Sequence, residues 1–398
     1  MMWLLFIVCA AIVVPVSGAG ASSFQEDVEF LSKYVEVIVL ESEDGMAQVA
    51  VVPAYQGRVM TSTATGPEGQ SFGWINSELI ASGEFQPHMN AFGGEDRFWM
   101  GPEGGQFSIF FSEGAPFDLK HWQTPACIDT EPYELVSQSK NEVVFTHTAT
   151  VSNRFGTTFN VKIDRKIRLN SEPASISGDA ITAKVVDYVS ENTITNVGDA
   201  PWTKESGLLS IWILGMFSPS PETTVVIPFR PGSEEELGPK VNDAYFGKVP
   251  EDKLKVGEDV LFFSGDGTYR SKIGIGPKRA LEFLGSYTPS QKTLTLVQYN
   301  KPEEAMDYVN SMWEIQENPY DGDVVNSYND GPPEPGKKPL GPFYELETSS
   351  PAAALAPGES ITHVHRTSHI VAAPDDLEDI ARRFFGVGLE EIASALAQ

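Results

Sequence analysis

Cysteine is almost absent from this chain: Cys9 and Cys127 are the two in 398 residues, and the first lies in an N-terminal run expected to be removed. No intramolecular disulfide can then staple the mature chain, so its stability must come from a large core. Basic residues are also scarce, 28 Lys and Arg against 55 Asp and Glu, for a net charge of −27. A surface of that sign repels a polyanion, which excludes nucleic acid as the partner; its simplest role is solubility. Missing too are a Gly-rich phosphate loop followed by a catalytic lysine, a His-Glu-x-x-His helix and a Gly-x-Ser-x-Gly elbow. Kinase, zincin and serine-hydrolase chemistry thereby lose their usual support, and no cofactor is implied.

The one long apolar run is at the start. Residues 2 to 16 (MWLLFIVCAAIVVPV) carry no charge and give way to small residues from Ser17 to Ser23. The run is shorter than the about 20 apolar residues that span a bilayer, and its form is that of a signal peptide. The sequence therefore predicts removal of residues 1–21, a periplasmic or extracellular (secreted) location, and no membrane partner after cleavage. The remainder, 22–398, is expected to be one domain, since large all-β folds exceed the usual length prior as single units.

That remainder reads as short segments rich in Val, Ile, Thr, Phe and Tyr, divided by Gly, Pro, Asn and Asp: Val35 to Leu40, Ala47 to Val52, Val143 to Thr150, Phe159 to Leu169, Leu261 to Phe263 and Thr293 to Tyr299. This pattern predicts an all-β sandwich or barrel. Helical spacing occurs at Ala305, Tyr308, Val309, Met312 and Trp313, predicting a helix within Lys301 to Glu317. A second, amphipathic, runs from Pro374 to Ala397 with an interruption near Gly386. Two breaker-rich stretches, Pro231 to Lys240 and Pro319 to Pro342, read as long loops, and the acidic and amide residues Asp321, Asp323, Asn326, Asn329 and Asp330 in the second as turn chemistry.

Three segments are candidates for chemistry. In Phe343 to Ile370, two strands flank an Ala-Pro-Gly-Glu turn. Glu345 and Glu347 share a face of the first, about 6–7 Å apart along the strand, so that one of them should hold its proton to higher pH and serve as an acid or base. His363 and His365 share a face of the second, with His369 beyond; they are read as polar sheet positions rather than metal ligands. The densest aromatic and polar segment is His88 to Phe111, followed by His121 and Trp122. A sugar offers apolar C–H faces rimmed by hydroxyls and needs flat rings beside carboxylate, guanidinium and amide groups. Trp99 and Trp122 supply rings, Glu95, Asp96, Arg97 and Glu103 the polar partners, and His88 or His121 a proton. The third segment, Asn192 to Phe229, carries Lys204 and a buried strand around Trp212.

Several of these residues resemble one family. Leu346-Glu347-Thr348, Pro351 and Leu355-Ala356-Pro357-Gly358-Glu359-Ser360 are similar to the Leu-Glu-Thr strand, proline and Leu-x-Pro-Gly-Glu turn of the aldose 1-epimerases, or galactose mutarotases. Tyr55-Gln56-Gly57-Arg58-Val59 resembles the family's opening Gly-x-Arg strand. Asn196, Gly198 and Pro201 match its Asn-x-Gly-x-x-Pro strand end. Gly93-Gly94-Glu95-Asp96-Arg97-Phe98-Trp99-Met100-Gly101-Pro102-Glu103 resembles a Gly-Gly-x-x-x-Trp-x-x-Pro-Glu signature of uncharacterised secreted relatives.

The resemblance covers about residues 35 to 372. It implies a galactose-mutarotase-like β-supersandwich with a few short helices, and a mono- or oligosaccharide as partner. It also implies Glu347 as the base that takes the anomeric proton. The chemistry of the residues themselves makes Arg97, Trp99, Glu103, Trp122, Lys204, Trp212 and Glu345 the candidates to surround the sugar. The family's ring-protonating histidine lies on the strand after the Asn-x-Gly-x-x-Pro turn, where Leu208 to Phe217 holds Trp212 and no histidine. His121 or His88 is then the candidate acid. An aldose 1-epimerase-like carbohydrate-active protein is the first expectation, with a non-catalytic glycan-binding protein or a polysaccharide lyase on the same fold as alternatives.

Overall fold

The structure is a computed structural model that describes residues 22–170 and 183–396; the expected signal peptide lies outside them. The segments read as strands form three antiparallel sheets. A small sheet joins β1 (Ile38–Glu41), β2 (Gln48–Val52) and β3 (Arg58–Thr63). A five-stranded sheet is built from β4 (Arg97–Gly101), β9 (Ser210–Phe217), β13 (Ser271–Ile275), β16 (Val325–Asn329) and β17 (Tyr344–Ser349), in the order β13-β16-β17-β9-β4.

The ten-stranded sheet holds β5 (Glu134–Gln138), β6 (Glu142–Ser152), β7 (Thr158–Leu169), β8 (Lys184–Asn196), β10 (Thr224–Pro228), β11 (Leu254–Val256), β12 (Val260–Ser264), β14 (Phe283–Thr288), β15 (Thr293–Tyr299) and β18 (Ser360–Val371). Their order is β11-β12-β10-β14-β15-β18-β8-β7-β6-β5.

The inner faces of the two large sheets enclose the core. Along β7, Phe159, Val161, Ile163, Ile167 and Leu169 point inward while Asn160, Lys162, Asp164, Lys166 and Arg168 alternate toward solvent, the period of a half-buried strand. Phe98, Ile211 and Ile213 of the five-stranded sheet pack with these residues, as do Val49, Val51 and Val59 of the small one. One buried cation ties all three sheets together. The guanidinium of Arg165 (β7) donates to the Gly57 carbonyl, the Asn192 amide oxygen and both the carbonyl and carboxylate of Asp96.

The C-terminal region forms helices Pro374–Phe385 and Leu389–Ser394, broken where Gly386 adopts φ 76°. Leu377, Ile380, Phe385, Leu389 and Ile392 cover Val226, Phe262, Leu294, Leu296 and Ile370 on the outer face of the ten-stranded sheet.

Two expectations are overturned. Lys301 to Glu317 contains no helix: its apolar residues serve different partners, Tyr308 bridging to Asp321 in the core under β13 and Trp313 packing on Trp122 and Phe111. Spacing fitted to one helix face thus belonged to an irregular segment. Within the expected loop from Pro319 to Pro342, Val325–Asn329 is the strand β16, so Asn326 and Asn329 are sheet residues. The hydrogen bonds of Asn326 to the Ile273 carbonyl and of Asn329 to Asp266 and the Tyr269 carbonyl replace turn chemistry.

Candidate functional site

All five strands of the smaller large sheet are buried on both faces. Their inner face is the core; their outer face is covered by loops and carries most of the charge. Register defines which side chains share that outer face. Gly274, Asn326, Glu347, Leu214 and Arg97 lie opposite one another across the sheet; Lys272, Tyr328, Glu345 and Met216 form the next row, and Ser349, Trp212 and Trp99 the row on the other side. A strand period of two places Glu345 and Glu347 together, as the sequence implies.

Glu347 is fully buried and held on one side only. Its Oε2 accepts from the Trp212 indole Nε1 at 2.9 Å and from Lys272 Nζ at 2.9 Å, while Oε1 has no partner among the described residues. Lys272 reaches Glu347 across β16, with its ammonium 4.6 Å from the Trp212 ring centroid and 5.4 Å from that of Tyr245. Burial alone would lower the lysine's pKa. The Glu347, Glu103 and Glu345 carboxylates outweigh this and hold it above the ordinary value.

Tyr245 donates to Asp323 Oδ2 at 2.6 Å and accepts from Asn326. Asp323 stands over β13 because residue 274 is glycine: a Cβ there would lie 2.1 Å from its Oδ2. Burial raises the pKa of Asp323. Gly101, Ser210, Trp212, Tyr245, Lys272 and Asn326 are among the walls of a narrow pocket of water-molecule dimensions.

Beside this group, Arg97 pairs with Glu345 at 3.0 Å and lies 4.4 Å from the Trp99 ring centroid. Burial raises the pKa of Glu345, even with Arg97 and Lys272 pulling it down. Glu103, on the loop after β4 and less deeply buried, is pushed up to about 7 by desolvation, against the opposing pull of Lys272. Glu103 and Glu345, both raised by burial, stand beside the Glu347 carboxyl group that is pinned at one oxygen, so the site gathers groups able to exchange protons near neutral pH.

The expected residues divide into two groups. Glu347, Glu345, Arg97, Trp212, Glu103 and Trp99 converge on the outer face. Trp122 is buried with its ring stacked on Phe110 and tilted against Trp99 and Trp313, one layer of an aromatic stack. His88 hydrogen-bonds the Trp122 carbonyl, His121 pairs with Asp118 near the surface, and Lys204 pairs with the half-exposed Asp307; none of the three touches Glu347. Glu95 and Asp96 point into the core, Glu95 accepting from Ser62, Tyr188 and His369.

Lys272, Tyr245, Asp323 and Asn326 were not singled out as site residues. A lysine in the short strand Ser271–Ile275 carries no local signal, while Asp323 and Asn326 were visible only as oxygen-rich loop positions.

The C-terminal histidines lie behind the site. Strands β17 and β18 are consecutive, yet they belong to different sheets and face each other across the core. The Thr348 hydroxyl is 2.8 Å from His363 Nε2 and 2.8 Å from His365 Nδ1. Burial lowers their pKa values to about 3 and about 4, so both rings are neutral at physiological pH. No group of three or more His, Cys, Asp or Glu residues able to hold a metal ion occurs among the described residues.

A family model described as a family of unknown function (DUF6786) matches residues 22–396. The chain belongs to that family. No curated protein matches the DUF6786 chain by sequence. Among solved structures it is similar to an Escherichia coli K12 protein carrying an inferred aldose 1-epimerase assignment, with 12% identity and a TM-score of 0.50 over 84% of this chain and 99% of that one. It is similar also to the Slr1438 protein of Synechocystis sp. PCC 6803, with 13% identity and a TM-score of 0.50 over 84% of this chain and 96% of that one. At such identities the likeness is one of fold: the DUF6786 chain has the galactose-mutarotase-like β-sandwich with a few short helices.

Proposed function

We propose that the protein binds a mono- or oligosaccharide on the outer face of the five-stranded sheet and performs aldose 1-epimerase-like acid–base chemistry there, with Glu347 as the base. The observation that carries this reading is the asymmetry of Glu347: one oxygen fixed by Trp212 and Lys272, the other buried and unpartnered. A carboxylate so held is oriented without being satisfied, which suits proton abstraction. Arg97, Glu345, Glu103 and Asn326 surround it with the donors and acceptors that hydroxyl groups require. The pocket beside it is too narrow for a pyranose, so entry requires its walls to move apart.

One observation favours a second reading, glycan binding without turnover. Trp212 occupies the strand where the resembled family keeps its acid, and among the described residues no histidine hydrogen-bonds Glu347. The two are separated by titrating the purified full chain with a panel of aldoses and oligosaccharides by calorimetry while following anomer exchange by NMR. Anomer exchange that is abolished in Glu347→Gln supports the enzyme. Binding without exchange supports the second reading, and exchange undiminished in Glu347→Gln removes the assigned base.

A further inference from the structure

We infer that Lys272 is the proton donor that works with Glu347, the two forming a carboxylate–ammonium dyad in place of the carboxylate–histidine arrangement. The inference rests on the sugar-chemistry reading above and deepens it by naming the second group. Three observations lead to it. The position after the Asn-x-Gly-x-x-Pro turn that would carry a histidine carries Trp212, whose indole N–H donates a hydrogen bond but is no proton source at neutral pH. Both histidines considered for the role are engaged elsewhere, His88 with a backbone carbonyl and His121 with Asp118. Among the described residues, Lys272 is the one cation that touches Glu347, at 2.9 Å, and it also forms part of the pocket wall with Trp212 and Asn326.

The pairing supplies the acid at the moment it is needed. Lys272 is surrounded by Glu347 and Glu345 from β17, Glu103 from the loop after β4, Asp323 from the segment before β16, and the Tyr245 ring. Burial pulls its proton off; the carboxylates, Glu347 foremost, keep it on. Once Glu347 accepts a proton, that largest attraction disappears while desolvation remains, so Lys272 turns from a firmly protonated cation into a ready donor.

The reaction balances on these two groups. Glu347 takes the proton of the anomeric hydroxyl, the O–H electron pair becomes the C1=O bond, the C1–O5 bond breaks, and O5 takes a proton from Lys272. After rotation about C1–C2 the steps reverse: O5 attacks C1 as its proton returns to Lys272, and the carbonyl oxygen recovers the proton from Glu347. Neither group changes overall.

The full chain and its Lys272→Arg, Lys272→Met and Glu103→Gln variants, each checked for an unaltered thermal transition, are compared by anomer-exchange NMR. Arginine keeps the positive charge beside Glu347 but does not release its proton, so Lys272→Arg should retain sugar affinity and lose kcat by about 10²-fold or more. Glu103→Gln should lose less. Wild-type kcat in Lys272→Arg, or a Glu103→Gln variant that is inactive while Lys272→Arg is not, overturns the assignment.

A titration independent of any sugar decides the dyad separately. The Lys272 ammonium, followed by NMR in lysine-labelled protein, should lose its proton at lower pH in Glu347→Gln than in wild type. An unmoved midpoint refutes the dyad even where exchange occurs. A lowered midpoint with no sugar turned over supports the coupling and leaves the sugar reading as the one that failed.

Discussion

Replacing Arg165 by methionine tests whether the buried cation joining the three sheets is a structural necessity. In the native protein its guanidinium donates to Gly57 O at 3.1 Å, Asn192 Oδ1 at 2.6 Å, Asp96 O at 2.7 Å and Asp96 Oδ1 at 2.6 Å, with both Arg165 and Asp96 inaccessible to solvent. Methionine fills much of the volume but leaves the Asp96 charge unpaired in the core. Stranding one member of a buried pair costs about 3–5 kcal/mol, and each abandoned carbonyl adds to this.

One term opposes the loss. Arg58, brought down to about 9 by burial and by repulsion from Arg97 and Arg165, is relieved when Arg165 goes. A net destabilisation of about 3–5 kcal/mol is therefore expected. Urea unfolding monitored by tryptophan fluorescence gives the midpoint, with the slope compared to ensure a common transition. Adding Asp96→Asn to the variant removes the stranded charge and should recover part of the loss. A single variant within about 1 kcal/mol of wild type, or a double variant less stable than the single one, refutes the reasoning.

Other outcomes follow from the same physics. Trp212→Phe removes one of the two hydrogen bonds on Glu347 while keeping an aromatic wall; a bond to a charged group contributes about 1.5–3 kcal/mol, so kcat in the exchange assay should fall by about one to two orders of magnitude. Glu103 holds its proton to about pH 7 in the folded chain against 4.5 for the free side chain. Its contribution to stability is thus fully present below pH 4.5 and lost as pH rises through 7, and Glu103→Gln should flatten that part of a pH-stability profile. Phe385, which closes the helix Pro374–Phe385 and packs against Gly285, should cost about 3–5 kcal/mol when changed to alanine, read by chemical denaturation.

The β-architecture was legible because its signal is local: alternation along β7, and the turn residues between strands, need no knowledge of partners. The Glu345 and Glu347 face was legible for the same reason. What escaped the sequence depends on which strands become neighbours. Lys272 enters the site only because β13 lies two strands from β17, close enough for a lysine to reach over. The rings of Trp99 and Trp122 looked like a platform for a ligand, yet they stack mainly on each other, on Phe110 and on Trp313, since aromatic surface is buried wherever neighbours allow. The expected helix from Lys301 is absent because periodicity carries nothing of the separate partners of Tyr308 and Trp313.

The hydroxyl of Thr348, one residue past Glu347, has a single hydrogen and two imidazoles to satisfy. It can give that hydrogen to one ring and must receive one from the other, so the two neutral histidines are locked into complementary tautomers. If Thr348 donates to His363, the outer nitrogen of His365 is bare; if it donates to His365, that nitrogen carries hydrogen. Either way, the two rings of β18 are coupled through a lone threonine of the facing sheet, and the layer behind β17 carries a single sense of hydrogen orientation.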